Sequence, residues 1–117
     1  MAVKRGEIYW VNFDPRRGSE QGGVRPALVV QNDLGNRHSP TTVVACLSSA
    51  PLSKRYPFTV PLAAGEAGLD KVGYVNCAQL LTIDQRRVGT LIGTLDEQRM
   101  LEVDEAILAE FGIARAR

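Results

Sequence analysis

Short runs rich in β-branched and aromatic residues, broken by Gly, Pro or Asn, recur along most of this chain, at residues 7–13, 27–31, 41–47, 58–62, 73–81 and 88–95. Val, Ile, Tyr and Trp suit the pleated, half-buried surface of a strand, and the turn residues between them fold the chain back. The pattern predicts an antiparallel β domain. Ala27-Leu28-Val29-Val30 is apolar without alternation, so this strand should be covered on both faces. Pro26 stands at its start, where a missing N–H does least harm. Six such runs in 117 residues point to a small closed or half-closed barrel, because closure removes unpaired edges. A chain of this length is expected to be one domain over residues 1–117, with strands from about 6 to 95.

The period changes near the end. Asp96 is a plausible N-cap, and Glu97 brings a negative charge to the first helical turn, where the dipole favours it. Met100, Val103, Ile107, Leu108 and Phe111 recur every three or four residues, and Gly112 sits where a C′ residue belongs. The reading is a helix over about 96–111, packed by its apolar stripe on the barrel. The expected fold class is mainly β, a small antiparallel barrel with a C-terminal α-helix.

Bulk numbers exclude several classes. With 44% hydrophobic and 23% charged residues, the chain is neither disordered nor a coiled coil. No apolar run reaches the roughly 18–20 residues of a membrane span. MAVKRGEIYW carries no apolar stretch behind its basic residues, so no secretory signal is expected. Cys46 and Cys77 each lie in a strand-like run and read as buried free thiols. His38 is the one histidine, and no CxxC or HxxxH spacing occurs, which argues against a metal site. The expectation is a soluble, cytosolic protein.

One stretch contributes little to any core. Residues 14–26 (DPRRGSEQGGVRP) are long for a hairpin connection and hold three arginines, three glycines and two carboxylates. Long polar loops on a rigid scaffold are where binding and chemistry sit; a solvated hairpin is the plain alternative. The formal charge of +1 says little about partners. Residues 1–60 hold eight basic and four acidic side chains, and residues 61–117 hold six basic and nine acidic. The basic half can meet phosphate by its local field, whatever the net charge.

The string RGEIYWVNFDPRRGSEQGGVRPALVVQNDLGNRHSPTTVVACLSS resembles the MazF/PemK family of toxin endoribonucleases, and TIDQRRVG before the final helix extends the match over nearly the whole chain. The resemblance implies an SH3-like barrel that forms two-fold homodimers and binds single-stranded RNA, including mRNA, in grooves along the dimer interface. It implies sequence-specific cleavage without metal or cofactor, inhibition of translation and growth, and neutralisation by a MazE-like antitoxin. The toxin–antitoxin complex is expected to bind its operator DNA. Arg25 matches the family's catalytic arginine, and Ser48 stands where many relatives have threonine. Ser19, Glu20 and Gln21, with Arg16 in the same loop, match the RNA-contacting segment, and Gln79 matches a polar position on the fifth strand. Cleavage at sites of the U-A-C-A-U kind is implied, depending on residues 52–56.

The chemistry has its own logic. RNA carries its nucleophile, the 2′-OH, so a protein need only position it, move protons and stabilise a negatively charged phosphorane. Arg25 offers a planar, permanently charged fork for that phosphorane. Ser48 can donate to a non-bridging oxygen. His38 is a titrating candidate for proton transfer, although a turn histidine is the preferred reading. Glu20 can act as a base, or accept from an exocyclic amine; recognition is preferred. Tyr56, beside Lys54-Arg55, is the expected stacking residue for an unstacked base. Tyr9 and Trp10 should face opposite ways, and its large area favours Trp10 for the core. Two other functions stay open here: a non-nuclease toxin that binds DNA gyrase, and a non-catalytic RNA- or peptide-binding barrel.

Overall fold

The structure, a computed structural model, describes residues 2–15, 18 and 22–114. Six strands, β1 (Glu7–Asn12), β2 (Val24–Val29), β3 (Thr41–Ser48), β4 (Thr59–Leu62), β5 (Gly73–Asp84) and β6 (Val88–Thr94), form one antiparallel sheet in the order β4-β5-β3-β2-β1-β6. Two helices complete it, α1 (Asp33–His38) between β2 and β3, and α2 (Glu97–Glu110) after β6. Single 3₁₀ turns lie at Glu66–Gly68 and Gln85–Arg87.

Strand alternation sends side chains into two cores, one on each face of the sheet. Ile8, Leu28, Ala45, Leu47, Val75 and Cys77 pack with Val103 and Ala106 of α2. Val11, Ala27, Val29, Val44 and Cys46 pack with Val3, Phe13 and Ile83 on the other face. Residues 27–29 thus supply both cores, which explains their unbroken apolar run. Each fully buried aliphatic side chain contributes about 1.5–3 kcal/mol. Burial also disfavours the thiolate, pushing Cys46 up to about 11 and Cys77 up to about 12, and both thiols are free.

The sheet curls without a ladder between its edge strands β4 and β6, so the barrel is half-closed. The Glu66–Gly68 turn covers the gap at β6. A Cβ on Gly68 would lie 2.5 Å from the Ile92 carbonyl oxygen, and one on Gly93 would lie 2.1 Å from that of Ala67. Only glycine permits this approach.

Helix α2 starts and stops as its sequence predicts. Asp96 accepts from the Arg99 N–H (2.8 Å). At the other end the Ile113 N–H donates to Leu108 O (2.9 Å) and the Gly112 N–H to Ala109 O (3.1 Å), a Schellman pair with Gly112 at φ 67°. Phe111, placed on the packed stripe by its spacing, is 63% exposed.

Several boundaries differ from the sequence reading. β2 begins at Val24 and ends at Val29, so Pro26 lies inside the strand. β5 runs past Leu81 to Asp84, and its pairing with β3 jumps from Leu80 to Asn76 between Ala45 and Cys46, leaving residues 77–79 as a bulge. α1 replaces an expected turn. Asn32 caps it by accepting the Gly35 N–H (2.7 Å), and buried Asn36 anchors it, accepting from Thr42 Oγ1 (2.6 Å) and donating to Gln31 O (3.0 Å).

Candidate active site

Pro26 shapes the site by ending a ladder. The Phe13 N–H donates to Gly23 O (2.9 Å), which makes Val11↔Arg25 and Tyr9↔Ala27 the hydrogen-bonded pairs of β1 and β2. Trp10↔Pro26 is then a non-hydrogen-bonded pair, and the Pro26 nitrogen faces β3. With no N–H to offer there, the β2–β3 ladder stops at Ala27↔Cys46 although β3 continues to Ser48. A cleft of about 710 Å³ opens at this point, walled by the starts of β2 and β5, the end of β3, residues 68–71 and part of β6.

Arg25 and Ser48 each lie two residues past the last pair of that ladder, Ala27↔Cys46, on the two strands that part there. Both belong to the sheet face of Ala27 and Cys46, and both line the cleft. Arg25 is exposed, donates through Nε to Gly22 O (2.9 Å) and forms no salt bridge with any described residue. Its charge is felt by Cys46, where it opposes the upward push of burial on the thiol. Ser48 is half-buried, and its Oγ accepts from the Ala50 N–H (3.2 Å). A hydroxyl has one proton and two lone pairs, so that bond leaves the proton available. An exposed guanidinium fork and a hydroxyl donor lining one cleft can together hold a tetrahedral or bipyramidal oxyanion.

The base of the connection between β1 and β2 is pinned. Asp14 Oδ1 accepts from the Gly23 N–H (2.7 Å), and Arg87 Nη1 donates to Asp14 O (2.6 Å). Arg16, Ser19, Glu20 and Gln21 lie outside the described residues. Gln79 is half-buried in the β5 bulge and does not line the cleft. Tyr56 is also outside it; its ring stacks on Phe58 at 5.1 Å, with Lys54 Nζ 5.2 Å from its centroid. His38 ends α1, beyond the far end of β3 from Ser48, about 23 Å away along that strand at 3.3 Å per residue. Among the described residues no three His, Cys, Asp or Glu side chains converge as metal ligands.

Among the cleft residues that the sequence reading did not name as site residues are Trp10, Lys71 and Tyr74. Trp10 was expected in the core but is 45% exposed, whereas Tyr9 packs against a core and donates to Glu7 Oε1 (2.7 Å). Burial and the Glu7 carboxylate push the Tyr9 hydroxyl up to about 12. The alternation holds with the two residues exchanged. Trp10 lines the cleft together with its partner Pro26.

The chain matches the family model described as PemK-like, MazF-like toxin of type II toxin-antitoxin system over residues 4–111. It is 43% identical over 107 residues to Endoribonuclease EndoA of Bacillus subtilis (strain 168), covering 92% of each chain. It is 36% identical over 111 residues to Endoribonuclease MazF of Staphylococcus epidermidis, covering 95% of this chain and 92% of that one. Its fold superposes on an endoribonuclease solved in complex with its cognate antitoxin from Mycobacterial species with a TM-score of 0.82 at 23% identity, covering 98% of this chain and 100% of that one. These matches lend no support to the gyrase-binding alternative. By its matched length and its relatives, the chain belongs to the PemK-like, MazF-like toxins of type II toxin–antitoxin systems.

Proposed function

We propose that this toxin is an endoribonuclease that cuts single-stranded RNA, mRNA included, at short sequences, by attack of a ribose 2′-OH on the adjacent phosphate. The 2′-hydroxyl gives up its proton to solvent as its oxygen bonds to phosphorus, and the 5′-oxygen takes one up from solvent as its bond to phosphorus breaks, leaving a 2′,3′-cyclic phosphate and a 5′-OH. Arg25 binds the phosphorane through its fork, and Ser48 donates to a non-bridging oxygen. A permanently charged guanidinium meets the charge that develops on phosphorus, so the reaction needs no metal. The observation that carries this reading is that Arg25 and Ser48 belong to one sheet face and line the same cleft. The relatives named endoribonucleases support it.

Arg16, Ser19, Glu20, Gln21 and Gln79 serve as RNA contacts on this reading, with Glu20 reading a base edge. A single barrel offers one shallow cleft, and a two-fold homodimer deepens it. The partner in the cytoplasm is a MazE-like antitoxin, whose acidic segment occupies the RNA cleft, and the complex of the two binds operator DNA. The family description makes an antitoxin part of the system.

Incubation of a long transcript in EDTA, with end mapping by primer extension, tests the activity. Discrete cuts with cyclic phosphate ends, lost in Arg25→Ala, are expected. Intact RNA, or equal cutting by Arg25→Ala, overturns the reading.

A further inference from the structure

Ser48 has a direct partner in the β3–β5 ladder. That partner is Tyr74, so the two residues lie side by side on one sheet face, the face to which Arg25 belongs across the end of the β2–β3 ladder. Residues directly opposite in an antiparallel pair have Cβ atoms about 4.5–5.5 Å apart. All three line the cleft. Gly73 fixes the spacing, since a Cβ there would lie 2.1 Å from Ser48 O; β5 can lie this close to β3 only because that position has no side chain. Tyr74 is therefore held at a set offset from the hydroxyl that meets the phosphate.

The other aromatics near the site are less suited to a base beside that phosphate. One face of the Tyr56 ring is already taken by Phe58, and Tyr56 lies outside the cleft. Trp10 lines the cleft but sits on the sheet face opposite to Arg25, paired with Pro26. Tyr74 is half-buried, lines the cleft and shares the face of Arg25 and Ser48.

We propose that Tyr74 is a substrate-positioning residue, whose ring stacks on the nucleobase next to the phosphate held by Arg25 and Ser48. Single-stranded RNA presents unstacked bases, and an aromatic ring takes any base by its π-face. The contact is made in the ground state and in the transition state alike, so it acts on binding more than on the chemical step. This proposal rests on the ribonuclease reading, and it names the residue that orients the cut nucleotide.

The test compares wild type, Tyr74→Ala and Tyr74→Phe on a fluorogenic oligonucleotide spanning a mapped cut site, together with the Kd of each for a mixed-sequence 2′-O-methyl RNA, which cannot be cut. Tyr74→Ala should raise KM and Kd about tenfold or more with kcat within about threefold, and Tyr74→Phe should stay within about twofold of wild type. KM and Kd of Tyr74→Ala within twofold of wild type overturn the proposal. So does a loss in Tyr74→Phe equal to that in Tyr74→Ala, which moves the role to the hydroxyl. Conversion of a dimer to a monomer by Tyr74→Ala, read by size exclusion with light scattering, also overturns it, because the residue then serves an interface between copies. If wild type cuts nothing but its Kd for the 2′-O-methyl RNA depends on Tyr74, the ribonuclease reading fails and the base contact stands.

Discussion

Arg99 of α2 holds Glu66 with two bonds, Nε to Oε2 at 2.6 Å and Nη2 to Oε1 at 3.1 Å. Glu66 opens the 3₁₀ turn that covers β6 and leads into the cleft wall at Gly68, Leu69 and Lys71. The fork thus ties the terminal helix to the site. The Arg99 guanidinium holds the Glu66 carboxyl below the usual carboxylate range. A lowered folded value means the pair's contribution is present above the ordinary value near 4.3 and lost as pH falls through the folded value. Arg99→Met should cost about 1 kcal/mol in urea unfolding at pH 7, and the gap from wild type should shrink at pH 3. A gap that persists undiminished in acid would assign the loss to packing.

Gly73→Ala should destabilise by about 1–3 kcal/mol, because the added methyl meets the backbone oxygen of Ser48 at 2.1 Å and no side chain can yield. β5 must move away from β3, carrying Tyr74 from Ser48. RNA cleavage should therefore fall further than the stability loss explains at a temperature where the variant is folded. Unchanged kcat/KM in a folded Gly73→Ala would show that this spacing does not matter.

Much of this fold is written in local sequence, and the exceptions share a cause. The strands and α2 follow from apolar period, and Asp96 and Gly112 mark the ends of that helix. α1 was hidden because Gly35 and Asn36 are poor helix formers. It is held instead by the buried Asn36 amide, whose partners Gln31 and Thr42 come together only in the fold. Pro26 read as a strand start because its missing N–H is a local fact. That it faces β3 is a matter of register, and register ends the ladder where the cleft opens. Arg25 and Ser48 could be named by resemblance, but their meeting at one cleft needs the β2–β3 pairing. Tyr74 and Lys71 enter the site only once β5 lies on β3, and no periodic signal marks them.

Alkaline pH should unfold the protein earlier than its net charge suggests. Cys46 is pushed up to about 11, and Cys77 and Tyr9 to about 12, in each case chiefly by burial. The unfolded chain releases thiol protons near 8.5, so above that pH it binds fewer protons than the folded chain. Stability is thus complete below the ordinary values and declines as pH rises towards the folded ones. The urea midpoint should be flat from about pH 7 to 8 and fall between about pH 9 and 11. Cys46→Ala/Cys77→Ala should be less stable at neutral pH yet show a shallower alkaline decline; an identical decline would leave the thiols out of it.

RNA binding should weaken with salt, since the cleft offers Arg25 and Lys71 to phosphates. For single strands, log Kobs falls against log salt with a slope of about −0.7 for each phosphate neutralised. Lys71→Met should reduce that slope by about 0.7 and leave the mapped cut sites unchanged, because a phosphate contact carries no base information. Titrations of a 2′-O-methyl RNA at several ionic strengths give the slope. A shift in cut site with no change in slope would make Lys71 a base reader.

Variants at Arg25 and Ser48 separate charge from geometry. On the proposed mechanism Ser48→Ala removes a donor to the phosphorane, and it should lower single-turnover cleavage by about 10²–10³-fold with little change in RNA affinity. Ser48→Thr keeps the hydroxyl and adds the methyl that restricts χ1. Because the Ala50 N–H already orients Oγ in the serine protein, the threonine variant should cut within about threefold of wild type. Arg25→Lys preserves the charge but replaces a two-pronged fork with a single point, so it should fall well below wild type. Its affinity for uncleavable RNA should nonetheless stay near wild type, since the phosphate in the ground state needs charge more than shape. Equal cleavage by Ser48→Ala and wild type would remove Ser48 from the chemistry. Full activity in Arg25→Lys would reduce Arg25 to a counter-charge.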